Sequence, residues 1–529
     1  MKRRDFLKTA GPLATLPLFI NGQSIKAFGQ GHKAQRADFV DTDHVLVIVQ
    51  LNGGNDGLNT VIPLDQYSNL SKARSNVLID EKKVLKLNGH SEVGFHPAMT
   101  GMRNMFNDDK LAVVRGVGYP NPNYSHFRST DIWMTGSDSD ETLTSGWMGR
   151  YLAEEWPNYP SGFPNDDMPD PLAIQIGSVV SPVCQGPTAN MGMAISDPEA
   201  FYQLITGNYD PAPNTRAGKE LEYIRTVADQ TNEYAQRVKE AAEKAENKST
   251  KYPADGQNNL ADQLKIVAQL IAGGLKTRVY IVSIGGFDTH ALQVDQTAGT
   301  DQGVHANLLG NLSEAVEAFQ DDLEQLSLDH RVTGMTFSEF GRRIKSNASM
   351  GTDHGSAAPM FLFGAKVKSG MIGNNPNIPD NVTVNDNLPM QYDFRSVYAS
   401  LLDDWFCLED PTVDAVMLDT FQRLPLLQES CSVSSADRER MRKSGDALVQ
   451  AYPNPFVDST TIRFSSNGER VLIQLMNAEG RVLENIVDQV YSQGEYRFVY
   501  NAGHLPAGNY YYRYQSGTIQ QVKRMVKVR

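Results

Sequence analysis

Residues 278–290 read RVYIVSIGGFDTH. A strand-length run of β-branched and apolar residues leads straight into two glycines, and Asp288 and His290 follow. A continuous apolar run of this length reads as a strand buried on both faces, the habit of parallel sheets. HVLVIVQL (44–51), KLAVVRGVG (110–118), PLAIQIGS (171–178), RVTGMTF (331–337) and PMFLFG (359–364) have the same character. Between two of them, from about His305 to Leu328, the apolar residues Leu308, Leu312, Val316, Phe319, Leu323 and Leu326 recur at helical spacing. Glu314, Glu317, Asp321 and Asp322 take the opposite, wet side. Strand 278–284, this helix and strand 331–337 predict a βαβ unit with a right-handed crossover. A charged stretch at 217–247 reads as an exposed helical insertion. Residues 40–430 are thus expected to form an α/β domain, a mostly parallel sheet flanked by helices.

Four of these strands run directly into unusual polar segments. They are Asn52-Gly-Gly-Asn-Asp56-Gly-Leu-Asn59, Tyr119-Pro-Asn-Pro-Asn-Tyr-Ser125-His126, Gly285-Gly-Phe-Asp288-Thr-His290 and Ser338-Glu339-Phe-Gly-Arg342-Arg343. Open parallel sheets bind ligands at the carboxyl ends of their strands, so the four segments are expected to converge on one edge. A fifth segment, Gly351-Thr352-Asp353-His354-Gly355, precedes the last apolar strand. Asp288, His290, Asp353 and His354 offer two carboxylates and two imidazoles, the ligand chemistry of zinc, manganese or a similar ion. The same residues also suit hydrogen-bonded structural pairs. The glycines suit close approach to a ligand, or plain turn chemistry.

Composition narrows the field. The 529-residue chain carries 49 Lys and Arg against 62 Asp and Glu, a formal charge of −13, so it has no global attraction for nucleic acid. Its length predicts two or three folded units. Cys184, Cys407 and Cys431 are its three cysteines, with no CxxC pair, which excludes a zinc knuckle and leaves room for one disulfide.

Both ends look like addresses. MKRRDFLKTAGPLATLPLFI opens with a basic start and a short apolar run, the pattern of a signal peptide over residues 1–30. Its RRDFLK string resembles the twin-arginine export signal; an ordinary secretory signal is the competing reading. Residues 431–447 read as a polar linker. From 448 to 529, short alternating strands with Gly and Pro turns predict a small β-sandwich. Tyr452-Pro453-Asn454-Pro455-Phe456, Pro506-Ala507-Gly508 with Tyr510, and the terminal run Lys523–Arg529 resemble the C-terminal sorting domain of type IX secretion substrates. That resemblance implies passage through export machinery and the outer membrane. It further implies removal of the tail and anchoring to surface lipopolysaccharide.

The motifs NGGNDGLNTVIP, NYSHFRSTDIWMTG, GWMGR, GGFDTH, SEFGRR and GTDHG resemble the domain of unknown function 1501 family over about 40–430. That family is similar in fold to the alkaline phosphatase and sulfatase superfamily. The resemblance implies metal ligands at Asp288, His290 and His354, with Asp56, Glu339 and Asp353 as further candidates. Where the superfamily has an Asp-His pair, this chain has Glu339 and Phe340, and Phe340 cannot bind a metal. Ser125 is the implied nucleophile; the bland alternative is a helix N-cap. His126 beside it is set aside as a base, because adjacent side chains in an extended segment point apart. Arg342, Arg343, Asn55 and Arg128 are candidates to hold an anionic substrate, or else partners of nearby acids. Cys184 lacks the Cys-x-Pro-x-Arg string of formylglycine sulfatases. The expected function is an exported, surface-exposed, metal-dependent hydrolase of phosphate or sulfate esters on a small molecule or glycan. The competing expectation is a non-catalytic surface protein that retains the fold.

Overall fold

The computed structural model describes residues 42–196 and 216–429 and, with short interruptions, 451–528. The expected signal segment 1–30 and linker 431–447 lie outside the described residues. Two compact units divide the chain between Cys431 and Ser432.

The first unit begins with β1 (Val45–Asn52), α1 (Gly57–Thr60), β2 (Val61–Pro63), α2 (Tyr67–Arg74), β3 (Leu85–Leu87), β4 (His90–Phe95) and α3 (Thr100–Asn107). There follow β5 (Leu111–Gly118), α4 (His126–Thr135), α5 (Trp147–Glu155), β6 (Ala173–Ile176), β7 (Gly192–Ile195), α6 (Arg216–Lys244) and α7 (Asn259–Ala272). The site-bearing half is β8 (Val279–Gly285), α8 (Val304–Gln325), β9 (Val332–Phe337), β10 (Gly341–Ser346), β11 (Thr352–Gly355) and β12 (Ala358–Phe363). β13 (Gly370–Ile372), β14 (Tyr392–Asp393), α9 (Phe394–Asp404) and α10 (Asp410–Met417) complete it.

The main sheet has the order β13-β5-β12-β9-β1-β8-β6-β7, with β14 on β5. The expected parallel character holds for β9, β1, β8, β6 and β7. β8, α8 and β9 form a βαβ unit of parallel strands, with β1 lying between the two strands. β1 is apolar from Val45 to Val49, and at Leu51, because both of its faces are covered. Val45, Val47, Val49 and Leu51 enter a core shared with α3, α7 and α8. Leu46 and Ile48 enter a second core shared with α4, α5 and α9. Each such fully buried side chain contributes about 1.5–3 kcal/mol.

Three expectations need correction. β12 runs antiparallel between β9 and β5. The stretch from β9 back to the sheet is filled by the β10–β11 hairpin, which returns the chain at the same edge with no crossover helix, so the direction reverses. The charged helix at 217–247, found as α6, is no exposed insertion: Val238, Ala241 and Ala242 are buried in the core that α7 shares. Asp322 is not on the wet side of α8. It is fully buried and accepts hydrogen bonds from Asn247 Nδ2 (2.7 Å), the N–H groups of Lys248 and Ser249, and the Tyr252 hydroxyl. Cys184 is a free buried thiol and Cys407 is disulfide-bonded. Among the described residues no helix is long and apolar enough to cross a membrane.

The second unit comprises β15 (Ser459–Asn467), β16 (Arg470–Met476), β17 (Val482–Val490), β18 (Gln493–Asn501), β19 (Gly508–Ser516) and β20 (Ile519–Lys527). β15 pairs with β18, and the other four form the sheet β17-β16-β19-β20. Ile462, Phe464 and Tyr500 of one sheet share a core with Ile473, Leu475, Tyr512 and Met525 of the other. The motif residues have local duties. Asn454 receives Val526 N–H and donates to Arg524 O, clamping the last strand, and Tyr510 closes the preceding turn through its bond to Pro506 O.

Candidate functional site

Register decides what meets at the sheet edge. Asn52 at the end of β1 pairs with Gly285 at the end of β8, and Gln50 pairs with Phe337 at the end of β9. β5 runs in the same direction as β9, since β12 is antiparallel to both. The four polar segments therefore leave one edge of the sheet. β11 delivers Asp353 and His354 to that edge through its pairing with β10, where His354 sits opposite Arg342. Two glycines make the approach close. At Gly53 (φ 123°) a Cβ would lie 2.2 Å from the Asp288 nitrogen, and at Gly54 (φ 85°) it would lie 2.4 Å from the Phe340 ring.

The gathered side chains are His126, Asp288, His290, His354, Asp353 and Glu339. Each imidazole is anchored through Nδ1 to an acceptor. His354 Nδ1 meets the Tyr124 carbonyl at 2.8 Å, His290 Nδ1 meets Asp353 Oδ1 at 3.0 Å, and His126 Nδ1 meets Glu339 Oε1 at 2.8 Å. A carbonyl or carboxylate only accepts, so the Nδ1 proton is fixed and each neutral ring presents an Nε2 lone pair. Those three lone pairs face acceptors. His354 Nε2 and His126 Nε2 lie 3.1 and 3.4 Å from the Asp288 oxygens, and His290 Nε2 lies 3.3 Å from Asp288 and 2.8 Å from His354 Nε2. Such an arrangement is repulsive unless a positive charge sits among the four groups.

The charge balance agrees. Asp288 is paired with the Arg342 guanidinium, whereas Asp353 and Glu339 are paired only with imidazoles, so neutral rings leave those two carboxylates without a cationic partner. Ligand atoms of His126, Asp288 and His354 lie within 4.8 Å of one another. Tetrahedral zinc with nitrogen and oxygen ligands at about 2.0–2.1 Å sets its ligand atoms about 3.3 Å apart, close to most of these separations. The donor set and its anchoring by second partners fit a divalent cation. Partial burial opposes ionisation of Asp288, but the hydrogen bond and charge of Arg342, with the neighbouring imidazoles, outweigh it and hold the carboxyl at about 2. Burial, with the nearby Arg342 charge, lowers His354 from its ordinary value against the opposing pull of Asp288 and the Tyr124 carbonyl.

The other residues singled out by sequence lie elsewhere. Asp56 is buried in an ion pair: Arg74 Nη1 meets both of its oxygens at 2.9 Å, and Gln293 Nε2 donates to Oδ2 at 2.6 Å. With both oxygens taken it is not brought to the cluster. Asn55 is buried against Thr60 and His305, and does not face a substrate. Arg342 is wholly buried. It donates to the carbonyls of Gly54 (2.7 Å), Thr352 (2.7 Å), Phe287 (2.9 Å) and Gly53, and to Asp288 Oδ1 (2.8 Å). It holds three segments together and, being wholly buried, is not offered to a substrate. Arg128 is spent on Asp131 and on carbonyls of 138–141. Glu339, 3% exposed, faces His126 and Gly53 N–H, which makes it an anchor for the imidazole. Ser125 occupies the N-cap position of α4, but its side chain makes no capping bond and is exposed.

His126 is the residue that sequence reasoning missed. Weighed only as a base for Ser125, it belongs to the cluster, wedged between Phe340 (4.9 Å between ring centres) and His354 (4.6 Å). The available signal was its place just after a buried strand, at the start of a helix. The argument about adjacent side chains concerned Ser125 and left the other strand ends out of account.

Comparison with known proteins gives two family matches. The model for proteins of unknown function DUF1501 matches residues 203–419, a narrower range than the 40–430 expected from the motifs. It includes Asp288, His290, Glu339, Asp353 and His354 but not His126. The model for the secretion system C-terminal sorting domain matches 450–528. No curated protein matches the chain. Among solved structures, a protein in the alkaline phosphatase superfamily from Vibrio parahaemolyticus is 9% identical, over 83% of this chain and 78% of that one, with a TM-score of 0.34. A phosphonate monoester hydrolase from Silicibacter pomeroyi is 9% identical over 91% and 88%, with a TM-score of 0.30. PorZ, a surface component of the type IX secretion system of Porphyromonas gingivalis, is 19% identical over 20% of this chain, which spans 14% of PorZ's length, with a TM-score of 0.14. The strand order, not these alignments, defines the fold. Residues 203–419 match the model of the DUF1501 family of unknown function, and residues 450–528 are a type IX sorting domain that marks the chain for export to the cell surface or medium.

Proposed function

We propose that the α/β unit binds a divalent cation, zinc or manganese, through His126, Asp288 and His354, with His290 as the adjoining fourth donor. The observation that carries this reading is the 2.8 Å contact between the Nε2 atoms of His290 and His354, whose other nitrogens are both committed to acceptors. Asp353 and Glu339 act as anchors of His290 and His126. A cation in this place supplies Lewis acidity toward an ester oxygen and lowers the pKa of bound water. The reaction we assign is hydrolysis of a phosphate or sulfate ester at the cell surface, on a small molecule or a glycan. Ser125, exposed and free of a capping bond, is the proposed nucleophile. Of the candidate arginines, Arg343 is the one we assign to meet the anion. It is half-buried beside the cluster, bonded through Nε to the His354 carbonyl at 2.9 Å, with its guanidinium over the Tyr124 ring. After type IX export, the body of the chain is attached to surface lipopolysaccharide and the tail removed.

A second reading, a non-catalytic surface protein with a structural ion, is favoured by one observation: Arg342 is wholly buried and Arg128 is bonded to Asp131 and to the carbonyls of 138–141, so both are engaged within the fold. One experiment separates the readings. The full chain and its Asp288→Ala, His354→Ala and His126→Ala variants are purified without chelators, analysed for metals and assayed on aryl phosphate and sulfate esters. Near-stoichiometric metal, lost in all three variants together with ester hydrolysis, supports the hydrolase. Metal without hydrolysis supports the structural ion. Absence of metal from the parent chain removes both forms of the cation site.

A further inference from the structure

Gln293 is fully buried behind the cluster and belongs to none of its donors. Its Oε1 accepts from two hydroxyls, Thr289 Oγ1 at 3.2 Å and Thr352 Oγ1 at 2.8 Å. Its Nε2 donates to Asp56 Oδ2 at 2.6 Å, and Asp56 is fixed by Arg74. The carboxylate determines the amide's orientation: reversed, Oε1 would face an anion, so the oxygen must face the hydroxyls. The positions of the two threonines are informative. Thr289 stands between Asp288 and His290, and Thr352 directly precedes Asp353 and His354. Both are buried while their neighbours project outward. The two segments are also tied by backbone bonds, Leu292 N–H to Ser349 O, Gln293 N–H to Met350 O and Thr352 N–H to Thr289 O. They behave as one body, and the Gln293 side chain joins that body to the loop after β1.

We infer that Gln293 is a positioning residue for the cluster, pinning the segments that carry Asp288, His290, Asp353 and His354 to the buried Asp56–Arg74 pair through the hydroxyls of Thr289 and Thr352. This rests on reading the cluster as a cation site. Groups that orient metal ligands typically govern affinity by about 10–100-fold. Thr→Val keeps the shape of each threonine and deletes only its bond to Gln293. Thr→Ser keeps the bond.

The test titrates Zn2+ and Mn2+ against the full chain in competition with a chromogenic chelator. Thr289→Val, Thr352→Val and Gln293→Met are compared with Thr289→Ser and Thr352→Ser. Leu323→Ala, on buried α8 away from the cluster, controls for lost stability. The expected result is an affinity about tenfold or more weaker in the Val and Met variants, near-parent affinity in the Ser variants, and no change in Leu323→Ala despite its lower unfolding midpoint. If the parent binds metal and the Val variants bind it equally well, Gln293 is a packing residue and the inference falls while the cation site stands. If Leu323→Ala weakens binding as much as the Val variants do, the effect is one of stability and the inference falls likewise. If the parent binds neither ion, the cation reading fails and takes this inference with it. Should Gln293→Met fail to fold, the two Val variants carry the test.

Discussion

Arg342→Met should destabilise the α/β unit by about 3–5 kcal/mol, the usual result of removing one member of a buried charged network. Methionine restores much of the aliphatic packing, so the loss is in bonds. Arg342 serves the carbonyls of Gly53, Gly54, Phe287 and Thr352 as well as Asp288. Hydrogen bonds from a charged donor are each worth about 1.5–3 kcal/mol, but they do not add, and water can reach part of this set because Asp288 is 46% exposed. The Asp288 share alone is discounted to about 0–1 kcal/mol for that exposure. The weight therefore falls on the four carbonyls. Arg342→Lys should recover little, since one ammonium cannot reach carbonyls on three separate loops. The assay is urea unfolding followed by tryptophan fluorescence. All four tryptophans, Trp133, Trp147, Trp156 and Trp405, lie in the α/β unit, so the sorting domain is silent. A loss below about 1 kcal/mol, the level of an exposed pair, or full rescue by lysine, would refute the claim that this guanidinium holds the three loops together.

Three further outcomes are expected. Because the folded carboxyl of Asp288 titrates at about 2, below its ordinary value, its ionisation adds stability that is present above about pH 4 and is lost as pH falls through about 2. The advantage of the parent over Asp288→Asn in unfolding midpoint should therefore shrink across that window, and an advantage that grows on acidification would contradict the assignment. A Cβ at Gly351 would lie 2.3 Å from the His290 carbonyl carbon, so Gly351→Ala should cost about 1–3 kcal/mol and lower metal content by parting His290 from His354; unchanged metal and midpoint would show that the segments separate freely. Burial pushes the Cys184 thiol up to about 12, so iodoacetamide should label Cys184 only after unfolding, as peptide mass spectrometry would report.

Much of this protein is written locally. The apolar runs of β1, β5, β8 and β9 mark strands covered on both faces, and the polar segment after each marks the edge where a site belongs, because period and punctuation depend only on neighbouring residues. The sorting tail is legible for the same reason: its strands alternate and its turns announce themselves. Only the tertiary structure decided the direction of β12, which follows from a hairpin that a string of apolar residues does not reveal. It also decided the fate of each polar side chain. Asp56 looked like a ligand until Arg74 was found against it, Arg342 looked like an anion-binding group until its donors were seen to meet four carbonyls, and His126 joined Asp288 and His354 from more than 160 positions away. Strand register sets those meetings, and register belongs to the whole sheet. A residue's chemistry can be read from its name, but which partner consumes that chemistry depends on distances that exist only once the chain has folded.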